Sequence, residues 1–278
     1  MGSWIFSSYL LGGSLLAGLI GSLTGLGGGV LLVPMLVLLF HVNVRYAVGA
    51  SLISVIATSS GAASAYLSEG YTNLRIGMFL QVAATSGAIL GAVVAEHLHA
   101  ATIAIIFGAV LLYSAYLSFR RQEEAELDRP SDPLAVRLQM EGSYPVAGGW
   151  KSYRVSNVGG GFSLMLGAGT LSGLLGIGSG AVKVLAMDQL MRLPYKVSTT
   201  TSNFMIGITA AASAGIYLHQ GFIDPGLTMP VMLGVFLGAF GGAKLLMAVP
   251  TKPLRIFFSF IIFIMAAEMI YSGLTGKL

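Results

Sequence analysis

Gly25-Leu26-Gly27-Gly28-Gly29 interrupts an apolar run that extends from about Trp4 to Phe40. As one helix those 37 residues would measure roughly 55 Å at 1.5 Å per residue, against about 30 Å for the hydrocarbon core of a bilayer. Each glycine also weakens a continuous helix by about 1 kcal/mol relative to alanine. The run therefore reads as two pieces joined at a break. A second stretch of the same kind, Gly176-Ile177-Gly178-Ser179-Gly180, interrupts an apolar run from about 158 to 190.

Three further apolar runs follow each break, near 46–67, 76–95 and 101–118 after the first and near 197–218, 227–246 and 254–274 after the second. One constant offset of 151 residues relates the two sets. It carries Gly25, Gly27 and Gly29 onto Gly176, Gly178 and Gly180, and Arg45 onto Lys196. It also takes Ser51 to Ser202, Tyr66-Leu67 to Tyr217-Leu218, Gly70-Tyr71 to Gly221-Phe222, and Gly87 and Gly91 to Gly238 and Gly242. Composition bias matches scattered glycines, but not a serine, a tyrosine and a basic residue in register. The pattern is an internal duplication, with a first membrane repeat over 1–119, a polar linker over 120–157 and a second repeat over 158–278.

Composition places the chain in lipid. Hydrophobic residues make up 55% of the 278 and charged residues 9%, where an ordinary globular chain carries about 25% charged. Twelve of the 26 charges fall between Arg120 and Arg154, and the start of that stretch, RRQEEAELDRPSDP, has the composition of a solvated connection. Soluble-enzyme, nucleic-acid-binding and disordered readings are excluded together. The chain has no cysteine, which removes thiolate metal sites, disulfides and thiol relays; no cofactor or metal is expected. The opening MGSWIFSSYLLGG lacks the positive region of a signal peptide, so the N-terminus reads as retained.

Orientation follows from lysine and arginine. If each broken run crosses once, the basic residues divide eight to six, with Lys183 set aside as intramembrane. If each goes in and returns, twelve lie on the linker side and only Arg45 and Lys277 opposite. The positive-inside rule selects the second arrangement. The expected fold is an all-α polytopic membrane protein with two inverted-topology repeats, glycine-broken helices and about 8–10 membrane segments. The linker is then cytoplasmic and both termini lie outside. Whether the broken runs cross fully or are re-entrant stays open.

Backbone released by a break cannot face lipid and must be buried in protein or line a wet cavity. Paired breaks in inverted halves point to a transporter site near the midplane. Gly27, Gly28, Gly29, Gly178, Ser179 and Gly180 are candidate substrate-binding residues, because glycine lets peptide N–H groups approach a ligand. The alternative is that these glycines serve close packing or a tight turn. That role is assigned outright to Gly87-x-x-x-Gly91 and Gly238-x-x-x-Gly242. Ser51, Ser54 and Thr58 share one helical face. Ser51 and Ser202, with Asn203 beside the latter, are candidate donors to an oxyanion, whereas Thr58 and Ser59 read as bonded to their own helix. Lys183 is an intramembrane charge; it is a candidate counter-charge for an anion, against snorkelling or pairing with Asp188. Glu96, His97 and His99 read as a solvated edge and not a metal site. Glu268 serves proton coupling or faces a polar crevice, and Gln81 reads as a packing residue.

These residues resemble the sulfite exporter TauE/SafE family of membrane permeases. The resemblance rests on the two breaks, on Gly49–Leu52 with Thr-Thr-Ser-Asn at 200–203, and on the Tyr-Leu-x-x-Gly-Tyr/Phe turns at 66–71 and 217–222, each followed by a glycine-rich helix. It implies secondary transport of small sulfur-containing anions such as sulfite or organosulfonates, with export as the direction, driven by the proton-motive force. The implied partners are a small anion, a coupling proton and the lipid bilayer. An anion channel or a permease for another small anion is the alternative; an enzyme is not expected. The long charged linker and Lys183 depart from the family pattern.

Overall fold

The structure, a computed structural model, describes residues 3–24, 29–68, 70–119, 131–146, 149–246 and 251–276. Before the linker come α1 (Ser3–Thr24), α2 (Gly29–Leu38), α3 (Val44–Ser68), α4 (Leu74–His97) and α5 (Ala100–Phe119). A short α6 (Pro133–Arg137) and an antiparallel hairpin of β1 (Gly142–Val146) and β2 (Gly149–Tyr153) follow. Then come α7 (Val158–Leu175), α8 (Gly180–Leu185) running into a π turn (Ala186–Leu190), α9 (Tyr195–His219), α10 (Pro225–Leu246) and α11 (Thr251–Thr275). The molecule is mainly helical. Leu74–His97 and Val158–Leu175 are each long and apolar enough to cross a membrane.

Local sequence sets the boundaries. Asn73 has extended backbone and accepts from the N–H of Ile76, starting α4. Asn157 caps α7 through the N–H of Gly160, and Asp132 caps α6, with Pro133 opening the helix where its missing N–H costs nothing. The turns between α3 and α4 and between α9 and α10 each carry a glycine at φ 75°, Gly70 and Gly221. Those two positions are equivalent under the offset.

Packing is exchanged between the halves in the same way. A Cβ at Gly87 of α4 would run into the Leu166 carbonyl of α7, and one at Gly238 of α10 into the Leu15 carbonyl of α1. Gly169 of α7 likewise abuts Ala84 of α4, while Gly18 of α1 abuts Val235 of α10. Adding 151 to one contact gives the other in each case. Glycine is needed here because carbonyl oxygens of the facing helix occupy the space a side chain would take. Between these two pairs, α3 and α9 run antiparallel. Arg45 lies over the Phe222 ring at 5.3 Å, and Lys196 over the Tyr71 ring at 5.6 Å, again equivalent pairs.

Two opposite faces result. One gathers Arg45, the end of α4 and the α9–α10 turn: Arg45 donates to the carbonyls of Glu96 at 3.1 Å and Leu98 at 2.8 Å. The other gathers the α3–α4 turn, the hairpin and the start of α9. Residues flanking each broken run are in contact. Phe6 and Phe40 are in ring contact at 6.1 Å, and the N–H of Ser156, just before α7, donates to the carbonyl of Met191, just after the π turn.

The stretch read as a linker is structured over 131–146 and 149–157; residues 120–130, 147 and 148 lie outside the described ones. Asn73 donates to the Met140 carbonyl at 2.9 Å and the Tyr153 hydroxyl at 2.7 Å. Arg75 donates to the Gln139 carbonyl at 3.0 Å. Buried Ala135, Met140, Tyr153 and Val155 join one core with α4, α7 and α9. Burial pushes the Tyr153 phenol above its ordinary value, so it stays neutral and free to accept from Asn73. Charge density hid this element, because its buried side chains are few and spaced between exposed lysine, arginine and glutamate.

Candidate functional site

The second break is built from three left-handed residues. Helix α7 ends at Gly176 (φ 70°), whose N–H donates to the Ser172 carbonyl at 2.8 Å. Gly178 (φ 68°) and Ser179 (φ 43°) follow, and α8 starts at Gly180. Glycine takes such conformations freely, while a serine does so at a cost. Ser179 is held by a hydrogen bond from its hydroxyl to the Ala168 carbonyl at 2.5 Å. Among the described residues, the peptide N–H groups of Ile177, Gly178 and Ser179 make no hydrogen bond to another backbone group.

First-half residues meet this break in the interior. Ser51, fully buried on α3, donates to the Gly176 carbonyl at 2.8 Å. Gly29, the first residue of α2, lies against both: a Cβ there would be 2.7 Å from Ser51 Oγ and 3.1 Å from Gly176 O. Ser202 on α9 stands at the equivalent place beside α8 and donates to the Gly180 carbonyl at 3.3 Å. Thus Gly29, Ser51, Gly178, Ser179, Gly180 and Ser202 converge at the centre. Gly27 and Gly28 lie outside the described residues. Asn203 is half-buried and makes no hydrogen bond among them.

The serines differ from the sequence reading in one respect. Each hydroxyl has a single proton, and both protons go to carbonyls at the break instead of standing open to a ligand. In a dry interior those carbonyls need donors, which explains why serines sit there. Among the described residues, the donors without a backbone partner are the peptide N–H groups of Ile177, Gly178 and Ser179. The glycines are also tightly enclosed: a Cβ at Gly176 would lie 2.8 Å from Val48 Cγ1, and one at Gly178 2.7 Å from Ile206 Cγ2. Close approach of α3 and α9 to the break therefore requires glycine at both positions. The arrangement is a closed one.

Lys183, one turn into α8, is fully buried. Its ammonium donates to Thr209 Oγ1 on α9 at 2.7 Å. Gln81 of α4 reaches the same hydroxyl at 3.1 Å and Thr85 at 2.7 Å. Neither snorkelling nor a hydrogen bond to Asp188 describes Lys183. Sequence reasoning missed Thr209, Thr85 and the part played by Gln81. A buried amide in an apolar helix was the available signal, since such a group needs partners.

Other polar candidates separate. Thr58 and Ser59 donate to carbonyls within their own helix. Glu96 accepts from Gln220 at 3.0 Å at the molecule's edge, with His97 and His99 exposed nearby. Glu268 is exposed on α11.

With this geometry in view, the chain can be set beside known proteins. The family model described as Sulfite exporter TauE/SafE matches residues 10–269. The chain belongs to the sulfite exporter TauE/SafE family. Two proteins from Bacillus subtilis (strain 168) are similar over nearly their whole length. The "Probable membrane transporter protein YunE" is 25% identical over 267 residues, covering 94% of this chain and 96% of that protein. The "Probable membrane transporter protein YdhB" is 28% identical over 246 residues, covering 86% and 90%. Both are named as transporters and not as enzymes. No solved structure matches the chain. A TauE/SafE protein is a membrane transporter, so the exposed apolar faces of α4 (Val82, Leu90, Val93, Val94) and α10 (Leu233, Phe236, Leu237, Phe240) have a lipid surface to meet.

Proposed function

We propose that the protein is a secondary transporter of small sulfur-containing anions, sulfite or organosulfonates, working by alternating access of two inverted halves. The observation that carries this reading is the meeting of Gly29 and Ser51 from the first half with the Gly176–Gly180 break of the second. Among the described residues, three peptide N–H groups at that break have no backbone partner, in a chain of a sulfite exporter family. Unpaired N–H groups in an interior that excludes water favour an anion. Gly27, Gly28, Gly29, Ser51, Gly178, Ser179, Gly180, Ser202 and Asn203 form its surroundings, and Lys183 supplies positive charge.

Three features support inversion. Equivalent helices α3 and α9 are antiparallel, equivalent contacts are exchanged between the halves, and residues flanking each broken run are in contact. Rocking of one half against the other then exposes the closed centre to alternate sides. Coupling to the proton-motive force, with export as the direction, follows the family expectation, with the linker face cytoplasmic. A screen of sulfite, sulfate, thiosulfate, taurine and sulfoacetate against the purified protein tests the substrate class. An anion held at 100 times its Kd stabilises the folded state by about 2.7 kcal/mol, a readily measured rise in melting temperature. Absence of such a rise with every member of the panel would refute the assignment.

A further inference from the structure

Lys183 and Gln81 leave complementary hydrogen-bonding capacity unused at one place in the interior, and Thr209 fixes how. The Thr209 hydroxyl has one proton, which goes to the Met205 carbonyl at 2.8 Å, so it meets its other neighbours as an acceptor. Lys183 donates to it at 2.7 Å. Gln81 must therefore turn its NH2 toward it, at 3.1 Å, and the same NH2 reaches Thr85 Oγ1 at 2.7 Å. That orientation leaves Gln81 Oε1 buried without a donor among the described residues. The ammonium carries three N–H bonds, and Thr209 is its one hydrogen-bond partner among the described residues. Lys183 is 0% exposed and Gln81 9%. Unmet groups of this kind cost free energy in a dry interior, and a ligand that satisfies both recovers it.

We propose that Lys183, Thr209 and Gln81 form a station for a small oxoanion carrying one proton, with the ammonium donating to its oxygens and Gln81 Oε1 accepting its O–H. The proposal deepens the anion-transport reading and rests on it. A fully deprotonated anion offers Oε1 no donor, whereas a singly protonated one meets both halves of the station. The proton then travels as part of the solute. The station spans both halves and has no symmetric counterpart: the offset places Leu32, Met232 and Phe236 opposite Lys183, Gln81 and Thr85, with Thr58 opposite Thr209. It adjoins the break, because Ser202, bonded to Gly180, lies on the same face of α9 about two turns before Thr209.

The test is calorimetric binding to the full-length protein of two monoanions. One is sulfite at mildly acidic pH, where it carries one proton. The other is methanesulfinate, which has a methyl group in place of the O–H. The expected result is sulfite binding about tenfold tighter or more. Gln81→Leu loses that preference, and Lys183→Met binds neither anion. Should Gln81→Leu fail to fold, the wild-type comparison decides alone. Equal affinities in the wild type, or a preference surviving Gln81→Leu, overturns the station and points to a resident water there, leaving anion transport intact. Failure of the wild type to bind either anion overturns the transport reading as well.

Discussion

Ser51 and Ser202 occupy equivalent positions and make unequal bonds. Ser51 donates to the Gly176 carbonyl at 2.8 Å, Ser202 to the Gly180 carbonyl at 3.3 Å. Removing a donor from a buried carbonyl costs about 1–3 kcal/mol. Ser51→Ala is therefore expected to lower the melting temperature of the purified protein by more than Ser202→Ala does. Ser202→Ala is expected to fold normally and to bind the anion more weakly, which isothermal titration would reveal; unaltered binding would remove Ser202 from the site. Lys183 behaves oppositely on stability. An ammonium taken out of water with one hydroxyl as its partner among the described residues is costly, and exchanging buried ion pairs for apolar groups of similar volume has stabilised proteins by about 1–4 kcal/mol. Lys183→Met is expected to melt higher than the wild type without ligand while losing transport. A lower melting point would mean that the ammonium has a stabilising partner.

At the scale of helices, the pairs α1–α10 and α4–α7 depend on particular glycines. Gly169 and Gly167 lie two residues apart on α7, yet a Cβ at Gly169 would strike the Ala84 carbonyl while one at Gly167 would meet nothing within 4 Å. Gly169→Ala should lower the melting temperature sharply. Gly167→Ala should leave it unchanged or raise it, since alanine favours helix by about 1 kcal/mol. Gly18→Ala in the other half should reproduce the Gly169 result, and equal behaviour at Gly167 and Gly169 would contradict the packing.

Much of this level could be read from the sequence. The apolar runs matched α3, α4, α5, α9, α10 and α11 to within a few residues, and the glycine repeats at Gly87 and Gly238 lie on contact faces. The candidate site was legible less evenly. The break at Gly176–Gly180 and the two serines announced themselves by duplication. The direction of the serine protons, and the meeting of Gln81 with Lys183, depend on contacts between distant segments that no local pattern encodes. The folded cap over 131–157 was hidden for a related reason, its few buried residues being scattered among charges.

For the molecule as a whole, the account makes the two faces distinct in membrane orientation. Because the chain has no cysteine, any introduced thiol is the sole one. Ser143→Cys in the hairpin should react with a membrane-impermeant maleimide only from the cytoplasmic side, and His99→Cys near Arg45 only from outside; labelling of both from one side would refute the inverted arrangement. The transport mechanism itself is reached most directly with purified protein in sealed liposomes, by following sulfite while a pH gradient is imposed. The account predicts movement of sulfite against its own concentration gradient, abolished when a protonophore dissipates the pH difference. Equilibration that only ever runs downhill, whatever the pH gradient, would contradict it and leave a passive anion pathway instead.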